Sequence, residues 1–160
     1  MASQVQSQDF EEDFYERAAV EEEAALYVSF LLNHEWYGIE ICSIKDVLKV
    51  PPITYLPSAP HYIVGITNHR GNILVVADLK KIFGFESKKN RPENRIIVVE
   101  CAGIERGILV DKVLSTVAIP ASKIDPPMAT LHGAAAEYIG GECKIKNKMF
   151  GILKSEKLVN

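Results

Sequence analysis

The residues that could do chemistry are few and far apart. Four histidines, His34, His61, His69 and His132, stand at spacings that match no metal-ligand pattern with one another or with the cysteines Cys42, Cys101 and Cys143. The chain holds no G-x-S-x-G elbow, no Walker A loop and no G-x-G-x-x-G turn. A dyad of Cys101 or Cys143 with a histidine needs a base within hydrogen-bond reach of the thiol, and nothing in the sequence brings such a pair together. Carboxylates beyond the first 23 residues are dispersed, with no close pair suited to acid–base work. No catalytic residue, metal site or cofactor is assigned. The sequence argues for binding rather than catalysis.

One stretch presents a charge in a way that invites recognition. Tyr62-Ile63-Val64-Gly65-Ile66-Thr67 and Ile73-Leu74-Val75-Val76-Ala77 flank the polar residues Asn68-His69-Arg70-Gly71-Asn72. Two apolar runs around a glycine-bearing turn predict a β-hairpin. Gly65 and Gly71 are assigned structural turn roles, Gly71 being free to take positive φ. A hairpin needs a turn but not an arginine. Arg70 is thus either a solvated surface charge or a rigidly presented binding group.

The elements that must hold this tip can be read in order. Tyr27 to Leu32 predicts a buried strand, Asn33-His34-Glu35 a turn, and Trp36 to Ile41 a return strand. Ser43 to Leu48 fits a short helical turn or a twisted strand, with Ile44, Val47 and Leu48 on one helix face. Pro51-Pro52 ends it, and Pro57 and Pro60 bracket a rigid loop into Tyr62. Asp78 is placed to cap a short helix through Leu79, Ile82 and Phe83 that stops at Gly84. Glu86 to Asn94 is polar, contains a proline and reads as a linker.

After the linker the pattern repeats. A shift of 69 positions aligns Gly38 with Gly107, Pro51 with Pro120 and Pro57 with Pro126, and the apolar positions follow. Beyond a longer loop, Met128 to Glu137, Tyr62-Ile63-Val64-Gly65 recurs as Tyr138-Ile139-Gly140-Gly141, and Ile73 to Val76 recurs as Met149 to Ile152. A fixed-period repeat means a duplicated structural unit. Each unit reads as about five short strands in a small barrel. The fold class is all-β: two tandem five-stranded barrels packed together, with short helical segments. Subdomain 1 is placed at about 26–85, the linker at about 86–94 and subdomain 2 at about 95–160. Packing two barrels creates a groove, a favoured place for a ligand or peptide. Lys144, Lys146 and Lys148 alternate and are expected on one strand face.

Composition narrows the rest. Of 160 residues, 48% are apolar and 24% charged, as in an ordinary globular chain. No apolar run reaches membrane-spanning length, and no basic segment followed by an apolar one marks secretion. Three well-separated cysteines argue for a reducing compartment, each read as a small buried hydrophobe. Residues 9–23 hold eight acids against Arg17, a net of −7, so with −3 overall the remainder carries +4. That excess is too small to argue nucleic-acid binding. Residues 1–23 are expected to form an acidic, flexible leader, dispensable for folding. The alternative is a helix that docks its Phe10 and Phe14 stripe on the body or on a partner.

Glu35-Trp36-Tyr37-Gly38-Ile39, Pro57 with Pro60, Tyr62 to Gly71, Val76-Ala77-Asp78-Leu79 and Gly107 to Val113 together resemble the CheW family of bacterial chemosensory adaptors. The resemblance covers Ala24 to Asn160. It implies two five-stranded SH3-like barrels and a non-enzymatic scaffold that couples methyl-accepting chemoreceptors to the histidine kinase CheA in chemotaxis. The implied partners are the CheW-like regulatory domain of that kinase and the receptor's cytoplasmic tip, a helical hairpin lying between the barrels. The implied receptor-facing residues are Ile41, Ile44, Asp46, Asn68, Arg70 and Val113. A cytoplasmic protein, monomeric in isolation and recruited to receptor arrays, is expected. His69 stands where the family usually has Leu, and Lys154-Ser155 where many members have Asp-Leu. Two other readings stay open: a kinase-ring protein without receptor contact, or a small-ligand barrel or cysteine-dependent enzyme.

Overall fold

The computed structural model describes residues 23–87, 90–127 and 133–160. The expected Phe10/Phe14 stripe, residues 88 and 89 of the linker, and His132 with residues 128–131 lie outside the described residues.

Among the described residues ten strands form the body. They are β1 (Ala24–Leu32), β2 (Glu35–Glu40), β3 (Ile44–Lys49), β4 (Ile63–His69), β5 (Asn72–Asp78), β6 (Arg95–Cys101), β7 (Ile104–Val110), β8 (Lys112–Pro120), β9 (Ile139–Ile145) and β10 (Lys148–Leu153). Among the described residues two one-turn helices, α1 (Leu79–Ile82) and α2 (Ser155–Leu158), follow β5 and β10. The segment read as a helical turn or a twisted strand is the strand β3, preceded by a short 3-10 turn at Ile41–Ser43.

The strands make two five-stranded sheets, ordered β8-β1-β2-β10-β9 and β3-β6-β7-β5-β4. They are the two small barrels that the repeat implied, SH3-like as the resemblance implied, but they are not its two sequence halves. The first half gives β1 and β2 to one sheet and β3 to β5 to the other. The second half gives β6 and β7 to the first half's β3–β5, and keeps β8 to β10 for β1 and β2. The division at about 26–85 and 95–160 is therefore corrected. Each half's opening hairpin completes the other half's barrel. The repeat itself holds: replacing β1–β5 by β6–β10 turns one sheet order into the other, parallel pairings β2–β10 and β5–β7 included.

The exchange follows from what the opening strands bury. In β6 the run Ile96-Ile97-Val98-Val99 is fully buried. Ile97 and Val99 face a core shared by both barrels, whereas Ile96 and Val98 face the interior of their own. Alternate residues point to opposite faces, so a strand buried on both reads as a continuous apolar run. On β1, Phe30 and Leu32 enter the shared core while Tyr27 faces its barrel. Among the described residues the shared core holds sixteen buried side chains and each barrel interior five, so the seam is the main store of burial energy. Both helices feed it: α1 with Leu79 and then Phe83, α2 with Leu158 and then Val159. Tyr37 lies 6.0 Å from Phe30 and 5.5 Å from Phe83, ring centre to ring centre. Burial, then a hydrogen bond to Glu35, pushes its phenol well above the ordinary tyrosine range.

Local chemistry sets the corners. All four hairpins turn through two residues with positive φ: Asn33-His34, Arg70-Gly71, Ala102-Gly103 and Lys146-Asn147. Such turns match the twist of the flanking strands. Asp78 accepts the Lys80 backbone N–H at 3.0 Å and caps α1 as expected, and Gly84 takes φ 81° beyond it. The described part of the expected linker is mostly exposed and is tied to the body near its two ends. Ser87 hydrogen-bonds Asp78, and Asn94 is buried.

Each barrel is closed by a short bridge between its edges. Thr54, downstream of β3, exchanges two backbone hydrogen bonds with Ile66 of β4, at 2.8 and 2.9 Å. Asp125, downstream of β8, does the same with Glu142 of β9, at 2.7 and 2.8 Å. Gly65 is not a turn residue. It lies within β4 at a register shift, with φ 152°, where a side chain would overlap the Thr54 carbonyl. Gly71 is the turn glycine, with φ 84° and open space around it.

Two outcomes follow. Residues 24–86 expressed alone should show no cooperative unfolding transition, because β1 and β2 lack β8 and β10 while β3 and β5 lack β6 and β7. A normal melting curve for that fragment would contradict the exchanged arrangement. Gly65→Ala should destabilise the whole protein by more than about 1 kcal/mol, since alanine meets both an unfavourable φ and a backbone clash; thermal melting of the full chain measures it.

Candidate functional site

The tip of the β4–β5 hairpin comes to rest on β3. These are opposite edges of one sheet, so the contact spans the line of closure. Asp46 is the hub. One carboxylate oxygen accepts from the Arg70 guanidinium at 3.1 Å and lies 3.6 Å from His69 Nε2. The other accepts the Val47 backbone N–H at 2.8 Å. Asn68 is committed to the turn, its Oδ1 accepting from the Gly71 N–H at 3.0 Å. Arg70 sits in the turn at φ 52° with 77% of its side chain exposed. It therefore projects outward from a fixed backbone while touching Asp46. At that exposure the ion pair adds at most about 1 kcal/mol to folding. The arrangement orients a cation more than it stabilises the fold.

The structure brings Asp46, Asn68 and Arg70 together, and adds His69, which the sequence had marked only as a departure. The apolar members are placed differently. Ile44 pairs with Val99, and Val113 pairs with Phe30. Ile44 and Val113 hold equivalent positions in the two halves, on edge strands of the two sheets, and both pack partly buried against the shared core. Ile41 lies in the 3-10 turn before β3 and is 41% exposed. Ile44 and Val113 mark the edge of the seam between the barrels, and Ile41 packs against none of the core clusters. Lys45 extends the charged edge through a 2.9 Å ion pair with Glu100, a hydrogen bond that holds its ammonium above the ordinary lysine value.

Other features carry less. A cavity of about 170 Å³ is lined by Asp78, Lys80, Arg91, Asp111 and Lys112. Its two aspartates have structural partners: Asp78 caps α1, and Asp111 binds Lys80 at 2.8 Å and the Asn33 N–H at 2.9 Å. Among the described residues no cluster of histidine, cysteine or acidic side chains could hold a metal ion. Cys143 is buried as expected, its thiol pushed up by desolvation, but Cys42 is exposed and Cys101 intermediate. The lysines do not share a strand face. Lys146 is in the β9–β10 turn, Lys148 pairs with Ile145, and Lys144 pairs with Met149. The turn falls within the triplet, so alternation stops there.

A family model described as the CheW-like domain matches residues 26–160. The chain is 28% identical over 144 residues to the chemotaxis protein CheW of Treponema pallidum, covering 88% of this chain and 85% of that protein. To the chemotaxis protein CheW of Helicobacter pylori it is 30% identical over 110 residues, 69% of this chain and 67% of that one. The crystal structure of the scaffolding protein TtCheW from Thermoanaerobacter tengcongensis superposes with a TM-score of 0.74 at 37% identity, covering 82% of this chain and 89% of its own.

Because the Arg70 side chain is exposed, Arg70→Ala should shift the melting temperature by no more than about 2–4 °C, the shift that ~1 kcal/mol gives in a chain of this size. A larger loss would make the pair a structural clasp instead.

Proposed function

The chain belongs to the CheW-like domain family, and from that premise we propose that it acts as a non-enzymatic adaptor coupling methyl-accepting chemoreceptors to the histidine kinase CheA in chemotaxis. The observation that carries the reading is the match of the family over residues 26–160, which spans both barrels and the seam between them. A scaffold must hold two partners at once, and two rigid barrels on one core offer separate surfaces in fixed relation.

The receptor's helical hairpin is assigned to the seam. Ile41, Ile44 and Val113 are its apolar anchors, Asp46 and Arg70 its charged rim, and Asn68 keeps the tip in shape. The kinase's CheW-like regulatory domain is assigned to a barrel end. Ile73 and Ile104 open the neighbouring parallel strands β5 and β7 and are 76% and 49% exposed, an apolar pair suited to barrel-on-barrel contact. In this reading the protein works in the cytoplasm, at receptor arrays. No helix among the described residues is long and apolar enough to cross a membrane.

Arg70→Ala separates the surfaces. Truncating one member of a partly desolvated interface pair costs roughly 2–5 kcal/mol. Affinity for a receptor cytoplasmic fragment should fall at least about tenfold, the ratio that ~1.4 kcal/mol gives. Affinity for the kinase regulatory domain, measured on the same purified variant, should change less. Unchanged receptor binding with collapsed kinase binding would put Arg70 in the other interface. No change in either would leave Arg70 a surface charge.

A further inference from the structure

The duplication places a hairpin tip over the end of each barrel, and the two tips are built differently. In one barrel His69 and Arg70 reach Asp46. By the offsets that relate the halves, Ile145 and Lys146 stand in place of His69 and Arg70, and Ser115 in place of Asp46. The acid that receives the tip is absent. The Ser115 backbone is held instead by Ser29, whose hydroxyl donates to its carbonyl at 2.7 Å and accepts from its N–H at 3.1 Å. Between tip and strand lies a cavity of about 140 Å³. Phe150 and Val117 line it, Trp36 and Ile145 wall it, and Lys146 and Lys148 stand at its rim. Lys148 Nζ lies 4.7 Å from the centre of the Trp36 ring.

We propose that this cavity is the docking site of the chain's own acidic leader, with Phe10 or Phe14 entering it and the adjoining carboxylates facing the rim lysines. Three observations converge. An apolar cavity of about 150 Å³ accepts a benzene-sized ring, so the space fits one phenylalanine side chain. Residues 9–23 carry a net −7 and place acids on both sides of Phe10 and Phe14, whereas the rim is cationic. The tether reaches. Ala24, where the leader joins β1, pairs with Pro120 of β8, three residues along the strand from Val117 in the cavity wall. That distance is about 10 Å. Phe14 lies ten residues before Ala24, and ten residues span about 15 Å as helix or roughly 33 Å extended. A short tether gives an effective concentration in the millimolar range, enough to fill a weak site. The docked leader bridges the end of this barrel in cis, as Arg70 and Asp46 bridge the other, and any partner for this face must displace it. This fits a leader dispensable for folding, since the site is complete without it.

Trp36 is the chain's single tryptophan, so its fluorescence reports on the cavity wall. The full-length protein is compared with Phe10→Ala/Phe14→Ala and with Glu11→Lys/Glu12→Lys/Asp13→Lys, substitutions that leave the barrels untouched. Acrylamide quenching of Trp36 should rise at least about twofold in both variants, and in the parent protein when salt is raised to about 1 M. The parent's protection should be independent of protein concentration over about a hundredfold dilution. Equal quenching in parent and variants would overturn the proposal. Protection lost on dilution would make a second copy the occupant and overturn the cis arrangement. Quenching high in all three and suppressed only by added kinase domain or receptor fragment would assign the cavity to a partner, and would equally overturn it.

Discussion

The shared core between the barrels is the constraint on which the rest depends. Phe30, Leu32, Tyr37 and Ile39 from one opening hairpin meet Ile97, Val99, Ile108 and Val110 from the other, and all are buried. Neither barrel can bury its hairpin's second face alone. Full burial of such a side chain is worth about 1.5–3 kcal/mol, so the seam outweighs either five-residue barrel interior. The exchange of hairpins makes the seam obligatory: the chain crosses from barrel to barrel through Ile41–Ser43 and again through Asp111 alone, too little length for the barrels to part. The edge strands β3 and β8, which frame the surface end of the seam, are therefore held at a fixed spacing.

That fixity is what lets the polar tip matter. Arg70 sits on a two-residue turn, the turn on a hairpin, and the hairpin on a barrel sealed by the Thr54–Ile66 bridge. Each level removes freedom before any partner arrives. The charge is held by backbone geometry more than by the ion pair, which is too exposed to add much. Asn68 serves the same end from below, since its side chain is committed to the Gly71 N–H.

Much of this was legible in the chain. The period-two runs, the turn pairs and the Asp78 cap are local chemistry, and local chemistry repeats wherever the same residues recur. The matching Gly38 and Gly107, or Ile44 and Val113, revealed the duplication because equivalent sites face equivalent packing. What the repeat could not reveal was which copy of a strand pairs with which. β1 beside β3 and β1 beside β8 demand the same apolar pattern, so the exchange is silent in the residues. Gly65 was misread for a related reason, since its neighbour Thr54 arrives through a bridge that no periodicity announces. The hairpin pattern alone marked Arg70 and the Asn68 tip as a candidate, whereas Asp46 was reached only through family resemblance. The contact of His69 with Asp46 depends on barrel closure and had no local signal. The lysine triplet failed at a boundary: Lys146 and Asn147 take left-handed backbone without a glycine to mark the turn.

The exchange also sets an order of events as the chain is made. β1 cannot find β8, nor β2 its neighbour β10, until nearly the whole chain has emerged. From Leu32 at the end of β1 to Pro120 at the end of β8 is roughly 4–18 s of synthesis at ordinary rates. For that time Phe30 and Leu32 face water on a strand whose edge is unpaired, the condition that invites strand addition from other chains. The first-made hairpin is thus the last to be enclosed. A nascent chain of this design depends on a holding chaperone, or on the speed of its own completion, more than a chain with sequential barrels of the same size would.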